Sequence, residues 1–364
     1  MTDRECCIAC NCISGIGYST FSALVKVFGS PANIPGHSKQ EYLAARGVGE
    51  KMASALENTD FELACAKELN RAAASDVKIV TICDVEYPQI LKDLSSPPIA
   101  LYVAGKLPQN YDFSLGIVGS RNITKYAQEQ TSKIAFDAAY NKFTIISGMA
   151  EGADCCAHRA ALDAGGITIG VIGAGLENIY PAVHRNLAKE IIASGGALIS
   201  ELPMQFPVTA TGFPRRNRII AGLSRGVLVT EAGLKSGSMI TADYAKKSNR
   251  MLFAIPGRTD NANVSGCHKL IKEGAFLTEN FRDIAEKYNL ANVADSPATV
   301  KPPLPEMKPN EKTVYDAIKK GINTPDKLVI ATKLHISSIN VSLMMLELQK
   351  VITRDPDSTY RILI

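Results

Sequence analysis

The stretch GFPRRNRIIAGLSRGVLVTEAGLKSGS, Gly212 to Ser238, decides the fold. It places Arg215, Arg216 and Arg218 directly before an apolar run, after which GVLVTEA leads into a loop of small and hydroxylated residues. Continuous apolar runs are typical of buried parallel strands, and glycine-rich loops at helix starts bind phosphate. Arginine holds phosphate through two parallel hydrogen bonds. The stretch therefore predicts the phosphate-facing edge of an α/β sheet.

Strand-like apolar runs recur between about Val77 and Leu290, and amphipathic helical stretches separate the later ones. Repeated βα units of this kind predict an open, doubly wound, mostly parallel sheet, whose ligands bind beyond the carboxyl ends of its strands. The eight runs are VKIVTI (77–82), IALYVAG (99–105), SLGIVG (114–119), FTIISG (143–148), ITIGVIG (167–173), GALISEL (196–202), GVLVTEA (226–232) and MLFAIPG (251–257).

Loops after these runs carry the polar residues that we expect to converge on one rim of the sheet. They are Ser120 with Arg121, and the segments 148–154, 173–175, 215–218, 231–238 and 256–258. Arginines are unfavourable at a helix start, so three of them in four positions favour phosphate binding over ordinary solvated charge. Gly173-Ala174-Gly175 lacks the third glycine of a dinucleotide fingerprint, and there is no Walker lysine motif. We therefore predict no nucleotide cofactor.

Composition sets wider limits. The chain has 364 residues, 46% of them hydrophobic, and a formal net charge of +4, which permits an anionic partner without demanding one. This length predicts two or three domains. Nine cysteines, an odd number, favour reduced thiols over a disulfide framework. The N-terminus lacks a signal-peptide pattern and no apolar run is long enough to cross a membrane, so we expect a cytoplasmic protein.

Two smaller segments flank the predicted sheet. Residues 1–76 are expected to be helical, and the turns Gly15-Ile16-Gly17 and Gly47-Val48-Gly49 resemble a tandem helix-hairpin-helix module, which either binds DNA backbone or serves only for packing. A proline-rich linker is predicted at 291–309. Residues 310–364 resemble a winged helix with three short helices and a hairpin; its third helix is nearly uncharged, which favours packing or partner docking over duplex reading.

Seven motifs in order resemble the DNA-processing protein DprA/Smf family: GSR, SGMAEGADCCAH, YPAVHRNLA, ISELP, FPRRNRIIAGLS, VTEAGLKSGSMITADYA and AIPGR. The resemblance covers about Val77 to Leu290. It implies an extended Rossmann-like sheet, dimers, no catalysis, and a single-stranded-DNA-binding protein of natural transformation and recombination. Such proteins protect incoming strands and help load the RecA recombinase.

The resemblance also implies a phosphate pocket. Carried over residue by residue, it includes Ser120, Arg121, Arg216, Asn217, Arg218, Ser236, Gly237 and Ser238. We add Lys235 from its charge and position. Phe213 and Tyr126 are the nearest aromatic candidates for base stacking. The family's Gly-Ser-Asn-x-Leu-Ile is replaced here by GCHKLI, so His268, next to Cys267, becomes a candidate phosphate donor, and the dimer expectation is weakened.

Other conspicuous residues receive structural predictions. We expect Asp154 to cap a helix, His158 to be structural, and Glu231 to organise Arg216 or Arg218 by ion pairing. The N-terminal cysteines include one CxxC pair, but no second pair of Cys or His ligands accompanies it, which disfavours a zinc site. The carboxylates at the strand ends are scattered over separate loops, which disfavours a metal-dependent nuclease. The rival interpretation is a Rossmann-type nucleotide phosphoribohydrolase, although neither EAGLKSGS nor PGRTDNANVSG matches the PGGxGT signature of those enzymes.

Overall fold

The computed structural model of the chain describes residues 1–290, 293–294, 305, 307–349, 351–354 and 358–362. Two compact units divide it, Met1–Ala294 and Asp295–Ile364. The linker predicted at 291–309 lies largely outside the described residues.

A nine-stranded sheet organises the first unit. Its strands are β1 (Val77–Thr81), β2 (Ala100–Gly105), β3 (Ser114–Val118), β4 (Thr144–Gly148), β5 (Thr168–Val171), β6 (Ala197–Ser200), β7 (Gly226–Val229), β8 (Met251–Ala254) and β9 (Phe276–Leu277). Their spatial order is β1-β2-β6-β5-β4-β3-β7-β8-β9. Strands β3 to β9 run parallel, whereas β1 and β2 extend the sheet in antiparallel pairing through β6. The predicted mostly parallel Rossmann-like sheet is confirmed.

Two helical layers cover this sheet. The helices are α6 (Lys125–Tyr140), α7 (Ala153–Asp163), α8 (Arg185–Ala193), α9 (Gly212–Leu223), α10 (Gly237–Lys247), α11 (Ser265–Lys272) and α12 (Phe281–Lys287). Side chains alternate between the faces of a strand, so Val118 of β3 packs in the core shared with α9, α10 and α11. Its neighbour Ile117 packs in the core shared with α6, α7 and α12.

The N-terminal segment is helical, as predicted. It contains α1 (Asp3–Cys12), α2 (Tyr18–Phe28), α3 (Lys39–Tyr42), α4 (Glu50–Glu57) and α5 (Phe61–Ala74). Gly15 and Gly47 adopt positive φ at the two predicted turns, a conformation that favours glycine. Buried Ile8, Leu24 and Leu56 share one apolar core with Tyr102 of β2. That residues 1–76 form a domain separate from the sheet stays a prediction.

The second unit contains α13 (Pro309–Lys319), α14 (Pro325–Thr332), α15 (Ile336–Leu348) and the antiparallel pair β10 (Ile352–Arg354) and β11 (Tyr360–Ile362). Its core includes Val314, Leu328 and Leu343, one from each helix. This arrangement confirms the predicted winged helix. Among the described helices, none is by itself long and apolar enough to cross a membrane; α14 and α15 pass that test only as a pair, which bends by 116°.

Candidate functional site

The strand order reverses at β3. The chain leaves β3 toward β4 on one side, whereas β7 returns on the other side, and a crevice forms beyond the carboxyl ends of such a pair. A cavity of about 490 Å³ lies there, which we call the rim cavity. Its polar lining is Ser120, Arg121, Asp154, Arg216, Asn217, Ser236, Gly237, Ser238 and Thr241. The structure therefore brings together seven of the ten predicted contact residues.

Arg216 on α9 is the buried cation of the rim cavity. It is only 6% exposed, and its Nη1 lies 3.8 Å from Oδ2 of Asp154. Its Nε and Nη1 have no hydrogen-bond partner among the described residues. Burial lowers the pKa of Arg216 and raises that of Asp154, and the attraction between the two opposes both shifts. A guanidinium that lines a cavity, and whose charge is offset within the described part of the chain only by one carboxylate at 3.8 Å, attracts an anion to that cavity.

Gly148, the last residue of β4, makes room for this guanidinium. A Cβ at that position would overlap Nη1 of Arg216. The carbonyl oxygen of Gly148 lies 2.6 Å from Nε2 of buried His158, whose Nδ1 lies 2.7 Å from Oγ1 of Thr168. Burial lowers the pKa of His158 to about 4, so its ring is neutral near pH 7. His158 therefore holds the end of β4 beneath Arg216, and both ring nitrogens are engaged away from Asp154.

Asp154 lies in the first turn of α7 and accepts a hydrogen bond from the Ala150 amide at 3.2 Å. Gly152 is the N-cap of α7 and no side chain caps this helix, so Asp154 is not the predicted cap; its carboxylate instead closes the loop before α7 while facing Arg216. Gly152 in the same loop has φ of +77°, and a Cβ there would overlap the carbonyl oxygen of Ser120. The sequence GMAEGAD consequently brings the loop after β4 into contact with the loop after β3.

The N-terminus of α10 opens on the same cavity. Ser236 caps this eleven-residue helix by accepting from the Ser238 amide, and the Oγ atoms of the two serines lie 2.7 Å apart. Asn217 of α9 donates through Nδ2 to the carbonyl oxygen of Gly237 at 3.1 Å. Helix N-termini carry free amides and a partial positive charge. Together with Arg121 and Arg216, this helix end gives the rim cavity the donors that suit a phosphate.

An apolar recess of about 100 Å³ adjoins the rim cavity. Phe213, Tyr180 and Met149 line it, and Arg121 and Arg216 line both spaces. The ring centroids of Phe213 and Tyr180 are 5.9 Å apart, and the Arg121 guanidinium lies 5.3 Å from the Phe213 ring. Tyr180 was not among the predicted aromatics. Tyr126, which was, lies elsewhere: it donates to the Pro256 carbonyl oxygen and lines a separate cavity beside Arg258.

Arg218 does not reach the rim cavity, contrary to the predicted convergence of the arginines. It is 8% exposed and pairs with Glu201, whose Oε1 also lies 3.1 Å from Nε of Arg215 in a second ion pair. Helical residues two apart point about 200° from one another, so Arg216 and Arg218 lie on opposite faces of α9. Only one of the three arginines enters the rim cavity because the helix turns the other two away.

Glu231 organises neither arginine, which corrects the predicted ion pair. This buried carboxylate accepts from Oγ1 of Thr124 at 2.5 Å and from the Thr124 amide at 3.3 Å. Thr124 in turn caps α6. Glu231 is therefore structural, as predicted, but it acts by joining the start of α6 to the end of β7.

His268 and Lys235 lie outside the lining of the rim cavity. Nε2 of His268 lies 3.0 Å from the Gly257 carbonyl oxygen, and its neighbour Cys267 is buried beneath β7, where Sγ donates to the Val229 carbonyl oxygen. Lys235 is exposed and directly precedes Ser236. Of these two candidates, only Lys235 is next in sequence to a residue that lines the rim cavity.

The N-terminal cysteines are packing residues. Cys6, Cys7 and Cys10 are buried in α1, and burial raises the pKa of Cys6 to about 11. All nine cysteines are free thiols. Within the part of the chain that the structure describes, no three His, Cys, Asp or Glu side chains form a group that could hold a metal ion.

Comparison with known proteins identifies the relatives of this chain. Residues 78–289 match the model of DNA recombination-mediator protein A, and residues 297–358 match the DprA winged helix domain. Protein Smf of Escherichia coli (strain K12) is 39% identical over 264 residues, covering 69% of this chain and 71% of its own. Protein Smf of Synechocystis sp. is 32% identical over 349 residues, covering 86% and 87%.

Solved structures agree with the sequence matches. The X-ray structure of DNA processing protein A from Streptococcus pneumoniae has a TM-score of 0.66 and 30% identity, over 79% of this chain and 98% of that one. The protein of that name from Helicobacter pylori, whose structure describes a single-stranded DNA binding mode, has a TM-score of 0.52 and 31% identity, over 58% and 95%. The family-model match covers more than half of the chain, so this chain belongs to the DNA recombination-mediator protein A (DprA/Smf) family.

Proposed function

We propose that this protein binds single-stranded DNA by gripping backbone phosphates in the rim cavity. The observation that carries the proposal is buried Arg216, whose Nε and Nη1 lack partners among the described residues at a cavity that also receives the N-terminus of α10. The single-stranded DNA binding of the Helicobacter pylori relative supports it. The proposed contacts are Ser120, Arg121, Arg216, Asn217, Ser236, Gly237 and Ser238, with exposed Lys235 beside them.

Single strands suit this site better than duplexes. Arg216 is recessed, so a phosphate must enter the cavity to reach it, and a flexible single strand can bend inward where a duplex backbone cannot. The apolar recess beside Phe213 offers an aromatic face to an unpaired base, and stacking of this kind is tolerant of base identity. Phosphate contacts carry no sequence information, so binding should be largely sequence-independent.

Salt dependence tests the phosphate contacts. If about four phosphates are neutralised, log K should fall with log salt with a slope of roughly −3, so that affinity drops about 50-fold between 50 and 200 mM. The measurement is fluorescence anisotropy of a labelled oligonucleotide, single-stranded and duplex, across a salt series. Tight single-strand binding with a steep slope and weak duplex binding would support the proposal. Absence of binding to either form at low salt would refute it.

We extend the proposal to the cellular role implied by family membership: protection of single strands in transformation and recombination, and assistance to the RecA recombinase. The same membership supports a homodimer, a cytoplasmic location and a DNA-binding rather than enzymatic role. Light scattering at micromolar concentration tests the dimer, and co-sedimentation with RecA on single-stranded DNA tests the partner. A purely monomeric protein would refute the first, and unchanged RecA loading would refute the second.

The phosphoribohydrolase alternative has less support. Such an enzyme needs a glutamate at the strand end that reaches its substrate, and Glu231, which occupies that position, is buried and bonded to Thr124. Release of free base from nucleoside monophosphates, followed by chromatography, would revive the alternative.

A further inference from the structure

A second cavity, of about 560 Å³, lies on the face of α9 opposite the rim cavity. We call it the hairpin cavity. The first turn of α2 lines one side through Gly17 and Tyr18, and Arg215 and Arg218 of α9 line another. Lys247 at the end of α10 contributes a third positive side chain. The Gly-Ile-Gly turn of the N-terminal segment and the arginine-rich helix thus meet around one space.

The charges of the hairpin cavity are not balanced. Glu201 is the carboxylate that pairs with Arg215 and with Arg218, so one negative charge faces two guanidinium groups, and Lys247 adds a third positive charge. The side chain of Arg218 is only 9% exposed, yet its Nη1 has no hydrogen-bond partner among the described residues. A buried, unpaired donor of this kind costs free energy unless a ligand or water satisfies it. An anion in the cavity would offset the excess positive charge around this buried guanidinium.

The N-terminus of α2 faces this cavity with its backbone open. The helix has eleven residues and begins after Gly17, and no described side chain caps it. A Cβ on Gly17 would meet no described atom within 4 Å, so an incoming group has space there. Uncapped amides at a helix start bind anions, in particular phosphate.

We propose that the hairpin cavity is a second phosphate site, which takes the backbone of the DNA strand whose neighbouring phosphates occupy the rim cavity. This inference rests on the proposed single-strand binding. The strand crosses α9 at its exposed first turn, near Pro214, so that the two faces of the helix grip successive parts of one backbone. The Arg-Arg-Asn-Arg stretch then contacts the DNA backbone from both faces of α9. Arg216 and Asn217 lie on one face, and Arg215 and Arg218 lie on the other.

The test compares a short with a long oligonucleotide. Thymidine oligomers of about four and about sixteen nucleotides are titrated against the full chain across a salt series. In the double variant Arg215→Gln, Lys247→Gln, the long oligomer should bind at least about tenfold more weakly, because two charge-assisted contacts are lost. Its salt slope should become shallower by about 1.4, at roughly 0.7 per phosphate. Binding of the short oligomer should not change.

A matched control removes the same charge elsewhere. The double variant Lys67→Gln, Lys189→Gln neutralises two exposed lysines of α5 and α8 and should leave both oligomers unaffected. A second pair of variants probes the helix start: Tyr18→Pro deletes the first amide of α2, and Tyr18→Ala keeps it. Proline fits the first helical position, and Gly17 before it is extended, so the helix should persist. Tyr18→Pro should bind the long oligomer about fivefold more weakly than Tyr18→Ala.

The outcomes separate the two proposals. If the wild-type protein binds neither oligomer, the proposed function itself fails. If it binds both but the Arg215→Gln, Lys247→Gln variant behaves as wild type, or loses both oligomers equally, the hairpin cavity is not a second site on the strand. Thermal stabilisation by inorganic phosphate that this variant abolishes, without any change in binding of the long oligomer, would assign the cavity to a free anion and overturn its role in DNA binding.

Discussion

The two faces of α9 hold an arginine side chain of similar burial by different ion pairs. Arg216 shares its partner Asp154 with the Ala150 amide and keeps two unpaired nitrogens beside the rim cavity. Arg218, two residues later, is bound closely by Glu201, which it shares with Arg215. Similar burial therefore accompanies different roles: Arg216 is held by Asp154 at 3.8 Å and is available to a ligand, whereas Arg218 also helps to attach α9 to the end of β6.

The largest expected effect is the loss of short-strand binding in Arg216→Gln. A charge-assisted contact to phosphate is worth about 1.5–3 kcal/mol, so affinity for an oligomer of about four nucleotides should fall by about tenfold to a hundredfold. Arg218→Gln should leave that affinity unchanged. Anisotropy titrations measure both. The double variant Asp154→Asn, Arg216→Gln controls for the buried carboxylate left unpaired; if it recovered wild-type affinity, the rim contact would be refuted.

Gly148→Ala tests the same contact without altering any charge. The new Cβ would displace the Arg216 guanidinium, and overpacking of this kind costs about 1–3 kcal/mol. We expect weaker short-strand binding together with a lower melting temperature. Gly116→Ala in β3 is the matched control, because its Cβ would crowd Oγ of Ser224 instead of Arg216 and should lower stability without weakening DNA binding. Equal DNA affinity in the two variants would show that Arg216 does not need its observed position.

His158 extends the comparison to pH, because it supports only the rim face. Its folded pKa of about 4 lies below the ordinary value of 6.5, so the unfolded chain binds more protons between these values. Its contribution to the free energy of unfolding is therefore complete above about pH 6.5 and is lost as pH falls toward 4, by up to about 3 kcal/mol. Urea unfolding at a series of pH values should show a flatter profile for His158→Gln. An unchanged profile would contradict the assignment.

The smallest effect is expected for Glu231→Gln. The buried carboxylate bonds Thr124, so its replacement should lower the free energy of unfolding by about 1 kcal/mol, seen in urea denaturation, through a weaker start of α6. Since Glu231 pairs with neither arginine, DNA affinity and its salt slope should stay as in the wild type. A changed slope would restore the ion pair that the sequence suggested.

The sheet could be predicted because its buried strands are continuous apolar runs, which are visible within a few residues of sequence. Eight runs named from the sequence became β1 to β8, whereas β9 was missed because it has only two residues, both exposed. The antiparallel pairing of β1 and β2 could not be predicted from the sequence either, because an apolar run does not show which neighbouring strand it pairs with.

The site was predictable in its loops and not in its side-chain directions. Motif order placed Ser120, Arg121 and Ser236 at one rim, and the structure agrees. The partners of the buried arginines were not foreseen, because Asp154 and Glu201 follow other strands of the sheet and no local pattern links them to α9. Helical phase could have separated Arg216 from Arg218, since a 100° step per residue sends them to opposite faces once the helix is accepted.

A crystal structure of the protein with a bound thymidine oligomer of about four nucleotides would test the central claim most directly. We predict a backbone phosphate within hydrogen-bond distance of the Arg216 guanidinium and of the first amides of α10. A strand bound elsewhere, with the Arg216 nitrogens still unpaired, would contradict the assignment of the rim cavity as the DNA site.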